Sequence, residues 1–136
     1  IVVKKEDYTK PLEARQFIEA TKVDLLAPVI GNIHGLALGE PNLDIELLRD
    51  IKKNIGSVGM VLHAGSGIPG AQISSAIQAG IVIVHINTDL RVAFSDGLRD
   101  VLRQNPTETT PHKLFEVPVS MVKQIVQEKL ALFNPK

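Results

Sequence analysis

The chain has 136 residues, of which 44% are hydrophobic and 22% are charged, as in an average globular domain. Fifteen Lys and Arg residues balance fifteen Asp and Glu residues, which argues against the basic surface of a nucleic-acid-binding protein. The sequence has no cysteine, which excludes disulfides and cysteine-ligated zinc. No apolar run approaches the ~18 residues of a membrane span. No signal peptide opens the chain, so we expect a cytoplasmic protein without membrane contacts.

The first predicted helix and strand follow a polar opening segment. Thr9 is a candidate N-cap, Pro11 follows it, and together they predict a helix over residues 12–20. The apolar run over residues 23–30 predicts a buried parallel strand. Pro28 weakens this strand prediction, because proline has no N–H for the strand ladder.

The rest of the chain alternates helices and strands. Ile45, Leu48 and Ile51 are spaced as on an amphipathic helix, and β-branched residues dominate the third strand. The alternation predicts an α/β fold with a parallel sheet. The further predicted helices span residues 44–54, 70–78, 89–104 and 119–133, and the further strands span residues 59–63 and 81–86.

A histidine lies at or just after the end of each predicted strand. His34, His63 and His85 should meet at one edge of the sheet, because ligands bind beyond the carboxyl ends of parallel strands. Three neutral imidazoles suit a catalytic zinc ion, which takes three protein ligands. Each histidine alone could instead be a partly buried side chain that bonds to the backbone. His112 is predicted to be a solvated loop residue.

Two turns after the strands are suited to a phosphate group. The glycine-rich turn of residues 64–69 lets a ligand approach the backbone, and Ser66 adds a hydroxyl. Thr88 offers a hydroxyl in the turn after the third strand. In both places the following helix can present its first N–H groups to an anion. Such turns can also serve only to join a strand to a helix.

Three motifs follow one another along the chain: residues 27–35 (APVIGNIHG), 63–69 (HAGSGIP) and 85–90 (HINTDL). In this order they resemble those of the class II, zinc-dependent ketose-bisphosphate aldolases, which include fructose- and tagatose-bisphosphate aldolases. The resemblance implies a TIM (β/α)8 barrel, of which residues 1–136 would be the carboxyl-terminal part of a single domain, with strands six to eight. A whole barrel takes about 250 residues, so the amino-terminal half is expected as a second chain or a cleaved segment.

The resemblance also assigns roles to individual residues. His34 and His63 match two zinc ligands, while the third ligand and the acid/base aspartate belong to the amino-terminal half, so no catalytic residue is assigned here. A monovalent cation near the turns is also implied. The expected substrate-binding residues are Gly35, Ala64, Gly65, Ser66, His85, Asn87 and Thr88.

Three positions depart from the family pattern. His85 stands where asparagine is usual, and we expect it to contact substrate rather than metal. Ala64 stands where the family commonly has glycine. This replacement costs little conformational free energy if the φ of residue 64 is ordinary. Leu38 stands where many members have lysine. These departures leave the preferred sugar open.

The expected function is that of a lyase of carbohydrate metabolism. The resemblance implies zinc-dependent cleavage of a ketose bisphosphate, such as fructose 1,6-bisphosphate in glycolysis, to dihydroxyacetone phosphate and glyceraldehyde 3-phosphate. It implies an oligomer, and a fragment that is inactive without its amino-terminal half. The alternative is a non-catalytic α/β module that binds a phosphometabolite and has no use for zinc.

Overall fold

A computed structural model describes residues 4–32 and 42–134. Helices and strands alternate along most of these ranges, which confirms the predicted α/β fold. Within the same ranges, none of the helices combines the length and the apolar character needed to cross a membrane. After a short 3-10 helix (Lys5–Asp7) the elements are α1 (Pro11–Thr21), β1 (Leu25–Leu26), α2 (Ile45–Ile55), β2 (Gly59–Leu62), α3 (Gly70–Gln78), β3 (Ile81–Val84), α4 (Thr88–Gln104) and α5 (Pro111–Phe133).

The three strands form one parallel sheet in the order β1-β2-β3. Leu25 pairs with Gly59 and Met60 with Ile81, and a register shift follows Met60. Gly59 has no room for a side chain, because an added Cβ would lie 2.7 Å from Leu25 Cδ2 and 2.9 Å from Val82 Cγ2. Because both strand pairs are parallel, all three strands end at the same edge of the sheet, as the sequence predicted.

The chain divides into two compact units, Ile1–Ile86 and Asn87–Lys136. The first unit holds the sheet with α1, α2 and α3, and the second holds α4 and α5. That the whole chain forms part of one barrel domain stays a prediction. The buried apolar side chains of α2, β2 and α3 in the first unit are Leu48, Ile51, Ile55, Met60, Val61, Leu62, Ile73 and Ala76.

The first strand is much shorter than the predicted residues 23–30, because its second half bonds elsewhere. Thr9 N–H donates to the Val29 carbonyl at 2.9 Å, and Val29 N–H donates to Thr9 Oγ1 at 2.8 Å. Pro28 supplies no donor. The predicted N-cap role of Thr9 is also wrong: the N-cap of α1 is Lys10, without a side-chain bond, and the Thr9 hydroxyl accepts from Val29.

In the second unit, α5 begins at Pro111 rather than at residue 119, so that prediction is wrong by two turns. His112 lies exposed in the first turn of this helix and not in a loop. The buried Pro118 inside the helix removes one backbone bond, but it packs against α4, where an added Cβ on Gly97 would lie 2.9 Å from Pro118 Cα.

Glu108 holds the backbone just before α5, whose N-cap Thr110 makes no side-chain cap bond. Its carboxylate accepts from the backbone N–H groups of Thr109 at 3.0 Å and Thr110 at 2.9 Å, and it lies 3.1 Å from Lys113 Nζ. Hydrogen bonds from Thr110, and then from Lys113, lower the pKa of Glu108 to about 2.

Candidate active site

His63 follows the last residue of β2 and is partly buried at the carboxyl edge of the sheet. Its carbonyl accepts a hydrogen bond of 3.1 Å from Asn32 Nδ2. The other end of that amide, Asn32 Oδ1, accepts from Ile30 N–H at 2.9 Å. Asn32 therefore ties the segment after β1 to the end of β2. Asn32 lies in the motif of residues 27–35 but was not predicted to have a role; its position two residues before His34 was the available signal.

His85 follows the last residue of β3 and lies beside His63. The centroids of the two imidazole rings are 4.6 Å apart, and the ring planes meet at 78°, which is an edge-on contact. His85 N–H donates to the Leu62 carbonyl at 3.0 Å, and the His85 carbonyl accepts from Gly65 N–H at 2.9 Å. The structure thus brings together two of the three histidines predicted to meet.

The third histidine, His34, lies outside the described residues, together with Gly35 and Leu38. The predicted roles of His34 as a metal ligand and of Gly35 as a phosphate contact therefore remain predictions.

The turn after β2 has an unusual backbone at Ala64, with φ at 57°. This is the left-handed region, which costs a residue with a Cβ roughly 1–2 kcal/mol. Alanine in place of glycine was expected to cost little only if the backbone angle of residue 64 was ordinary, and this φ is not ordinary. A glycine at this position would avoid the cost, so Ala64 adds backbone strain directly beside His63.

Gly65 is required by packing. An added Cβ would lie 2.8 Å from Val84 Cγ1 and 3.0 Å from the His85 carbonyl oxygen. Because the Gly65 N–H already donates to His85, it has little left to offer a phosphate. Ser66 is buried, with 7% of its surface exposed. Helix α3 follows the turn, with Pro69 as an N-cap that makes no side-chain bond.

Asn87 and Thr88 belong to the second unit and open α4. Asn87 is the N-cap, with φ at −135°, and makes no side-chain cap bond. Thr88 is the first helical residue, one position earlier than predicted. The two residues therefore lie at a helix N-terminus, where backbone N–H groups favour an anion.

The described donor side chains of the first unit suit a zinc ion in their chemistry but are too few to hold one. His63 has an imidazole at the edge of a parallel sheet, and imidazole nitrogen is a preferred zinc ligand. Within residues 4–32 and 42–134, no three His, Cys, Asp or Glu side chains form a group that could hold a metal ion. His34 lies outside the described residues, so its part in such a site stays a prediction.

Comparison with known proteins gives one family over the whole chain. The family model described as "Fructose-bisphosphate aldolase class-II" matches residues 1–136. A Bacillus subtilis strain 168 protein named "Probable fructose-bisphosphate aldolase" is 34% identical over 127 residues, which are 93% of this chain and 44% of that protein.

Solved structures agree with the family model. The YdjI aldolase from Escherichia coli K12 is 36% identical, with a TM-score of 0.79 over 95% of this chain and 47% of its own. A fructose-bisphosphate aldolase from Campylobacter jejuni shares the fold, with a TM-score of 0.72 and 23% identity over 92% of this chain and 45% of its own. The chain thus spans about half the length of these relatives, as expected for part of a barrel.

Proposed function

We propose that the full-length protein containing this chain cleaves a ketose 1,6-bisphosphate by a reversible aldol reaction. The chain belongs to the class II fructose-bisphosphate aldolase family. The products with fructose 1,6-bisphosphate would be dihydroxyacetone phosphate and glyceraldehyde 3-phosphate. The observation that carries the proposal is the position of His63 at the end of β2, directly before a glycine-rich turn and beside the end of β3.

In this proposal His34 and His63 hold a zinc ion, with the remaining ligand and the acid/base aspartate in the amino-terminal half of the barrel. A bound zinc ion would act as a Lewis acid on the substrate carbonyl. The backbone of His63 is fixed on one side by Asn32 at 3.1 Å. A ligand whose backbone is held in this way gives the metal a defined position at the sheet edge.

The substrate phosphate is proposed to lie against the turn after His63. Ser66 offers a hydroxyl, and the first turn of α3 offers backbone N–H groups. The Gly65 N–H already donates to the His85 carbonyl. Gly65 would therefore contribute by letting the ends of β2 and β3 approach each other closely. Ala64 and His85 would line the same end of the sheet. Asn87 and Thr88 stay proposed substrate-binding residues at the start of α4, and Gly35 in its own segment.

The remaining parts of the proposal concern the whole protein. A monovalent cation held by carbonyl oxygens near the turns is included, as the family resemblance implies. Cleavage of fructose 1,6-bisphosphate would give the protein a role in glycolysis in the cytoplasm. We also propose a homo-oligomer, and activity only when the amino-terminal half of the barrel is present.

The test measures aldol cleavage by the full-length protein that carries this sequence, with fructose and tagatose 1,6-bisphosphates as substrates. We expect activity that is lost on treatment with EDTA and restored by zinc. His63→Ala should lower kcat/KM at least about 100-fold, since loss of a ligand impairs metal binding. The matched control is His112→Ala, which removes an exposed histidine of α5 and should leave activity unchanged. Binding of dihydroxyacetone phosphate without turnover would contradict the proposal in favour of a binding module.

A further inference from the structure

We propose that His85 is a positioning residue for His63: its ring holds the imidazole plane of His63 in the orientation that a metal requires. The inference rests on the proposed metal-binding role of His63. Its basis is the edge-on contact between the two rings, with centroids 4.6 Å apart and planes at 78°. Aromatic rings favour this arrangement at such distances.

The backbone around His63 is held by hydrogen bonds on three sides. Asn32 Nδ2 donates to the His63 carbonyl at 3.1 Å. His85 N–H donates to Leu62 at 3.0 Å, and Gly65 N–H donates to His85 at 2.9 Å. With the backbone held before and after His63, the orientation of its ring depends on the side-chain torsions and on the groups that contact the ring. The ring of His85 forms one wall against that rotation.

His85 itself is exposed, so its ring is not held in place as part of the apolar core. Its own backbone is anchored on both sides of its Cα, by the bonds to Leu62 and Gly65. A ring that is fixed at its backbone and packed against His63 can restrain the neighbour without binding the metal. A restraint of this kind needs a flat ring at residue 85 and does not need a nitrogen donor there.

Three variants of the full-length protein separate a ring contact from a nitrogen ligand. His85→Phe keeps the ring and removes both nitrogens, His85→Ala removes both features, and His112→Ala is the matched control. We measure zinc affinity by competition with a chromophoric chelator. Residues that orient a ligand typically contribute 10–100-fold to metal affinity. We expect His85→Ala to weaken zinc binding by at least about 10-fold, and His85→Phe to stay within about threefold of the unaltered protein.

A second measurement does not depend on metal. Relaxation of the His63 ring, measured by NMR in the zinc-free protein, should report greater mobility in His85→Ala but not in His85→Phe or His112→Ala. Equal ring mobility in all four proteins would overturn the inference. So would equal losses of zinc affinity in the Phe and Ala variants, because His85 would then act through its nitrogens. If the unaltered protein binds no zinc, the proposed metal site fails, and the ring relaxation alone still decides the role of His85.

Discussion

Ala64 has a backbone conformation that its side chain disfavours. Its φ of 57° lies in the left-handed region, and the next residue, Gly65, packs so tightly against Val84 and His85 that it cannot accept a Cβ. The close packing of Gly65 restricts the backbone conformation of Ala64, the residue before it. The strain at Ala64 thus accompanies the close approach of the turn to the end of β3.

Replacing Ala64 with glycine should stabilise the protein. Relief of the left-handed backbone is worth roughly 1–2 kcal/mol, and the greater freedom of glycine in the unfolded chain offsets about 0.5–1 kcal/mol. We expect a net gain of about 0.5–1 kcal/mol in the free energy of unfolding, measured by urea denaturation. The control is Ala71→Gly, at an exposed position in α3, which should lose up to about 1 kcal/mol. Loss of stability in both variants would contradict the argument.

The sequence identified Ala64 as a departure from a family pattern but could not predict its backbone angle. That angle follows from how Gly65 meets the end of β3, which depends on contacts between residues far apart in the chain. Thr9 illustrates the same limit. Its sequence context is that of an N-cap, yet its hydroxyl accepts a bond from Val29, twenty residues away. A local pattern cannot reveal a distant partner that competes for the same oxygen.

Helices α4 and α5 approach each other closely at Gly97. A Cβ added there would lie 2.8 Å from Met121 Sδ and 2.9 Å from Pro118 Cα. Further along the same two helices, Lys129 and Asp89 also join them, with 2.9 Å between Nζ and Oδ2 and about a fifth of each side chain exposed. The crossing therefore combines a backbone contact with a partly buried ion pair.

Gly97→Ala should destabilise this helix pair although alanine favours helix formation. Moving Pro118 and Met121 away from the new Cβ of residue 97 costs about 1–3 kcal/mol. The higher helix propensity of alanine offsets about 1 kcal/mol of that cost. We expect a net loss of about 1 kcal/mol, measured by urea denaturation of the full-length protein. Arg91→Ala, at an exposed position of α4, should change stability by less than about 0.5 kcal/mol. A gain of stability in Gly97→Ala would mean that the helices do not pack as described.

At the level of elements, the sequence pattern predicted α2 and α3 to within one residue, and the helical spacing of Ile45, Leu48 and Ile51 indicated α2. It failed where proline or a distant bond decides the boundary. Pro28 and Thr9 end β1 early. Pro118 suggests a helix start, whereas α5 runs through it from Pro111. The loss of one backbone bond is tolerated there because Pro118 is buried against its neighbour helix.

For the whole molecule, the alternation of elements was sufficient to predict the fold class, and the strand-end positions predicted that His63 and His85 would lie together. His63 and His85 meet because successive parallel strands end at one edge, a rule that needs no knowledge of side-chain contacts. Their edge-on geometry and the part of Asn32 depend on side-chain packing and could not be predicted. Of the other proposed site residues, His34 and Gly35 lie outside the part of the chain that the structure describes.

The outer strand β3 has apolar side chains exposed on both of its faces. Val82 is 61% exposed and Ile83 is 38% exposed, and neighbouring residues of a strand point to opposite faces. Parallel sheets are normally covered on both sides. The relatives that this chain matches are about twice its length. We therefore expect the other half of the barrel to cover Val82 in the full-length protein.

Val82→Thr tests this expectation by the size of its effect on stability in two forms of the protein. In residues 1–136 expressed alone, the exposed threonine should lower binding of the apolar dye ANS and leave the free energy of unfolding within about 0.5 kcal/mol. In the full-length protein, burial of the new hydroxyl should cost about 1–3 kcal/mol. Urea denaturation of both forms measures the difference. An equal change in the free energy of unfolding of the two forms would mean that nothing further covers β3, because a hydroxyl destabilises the protein only where it is buried away from water.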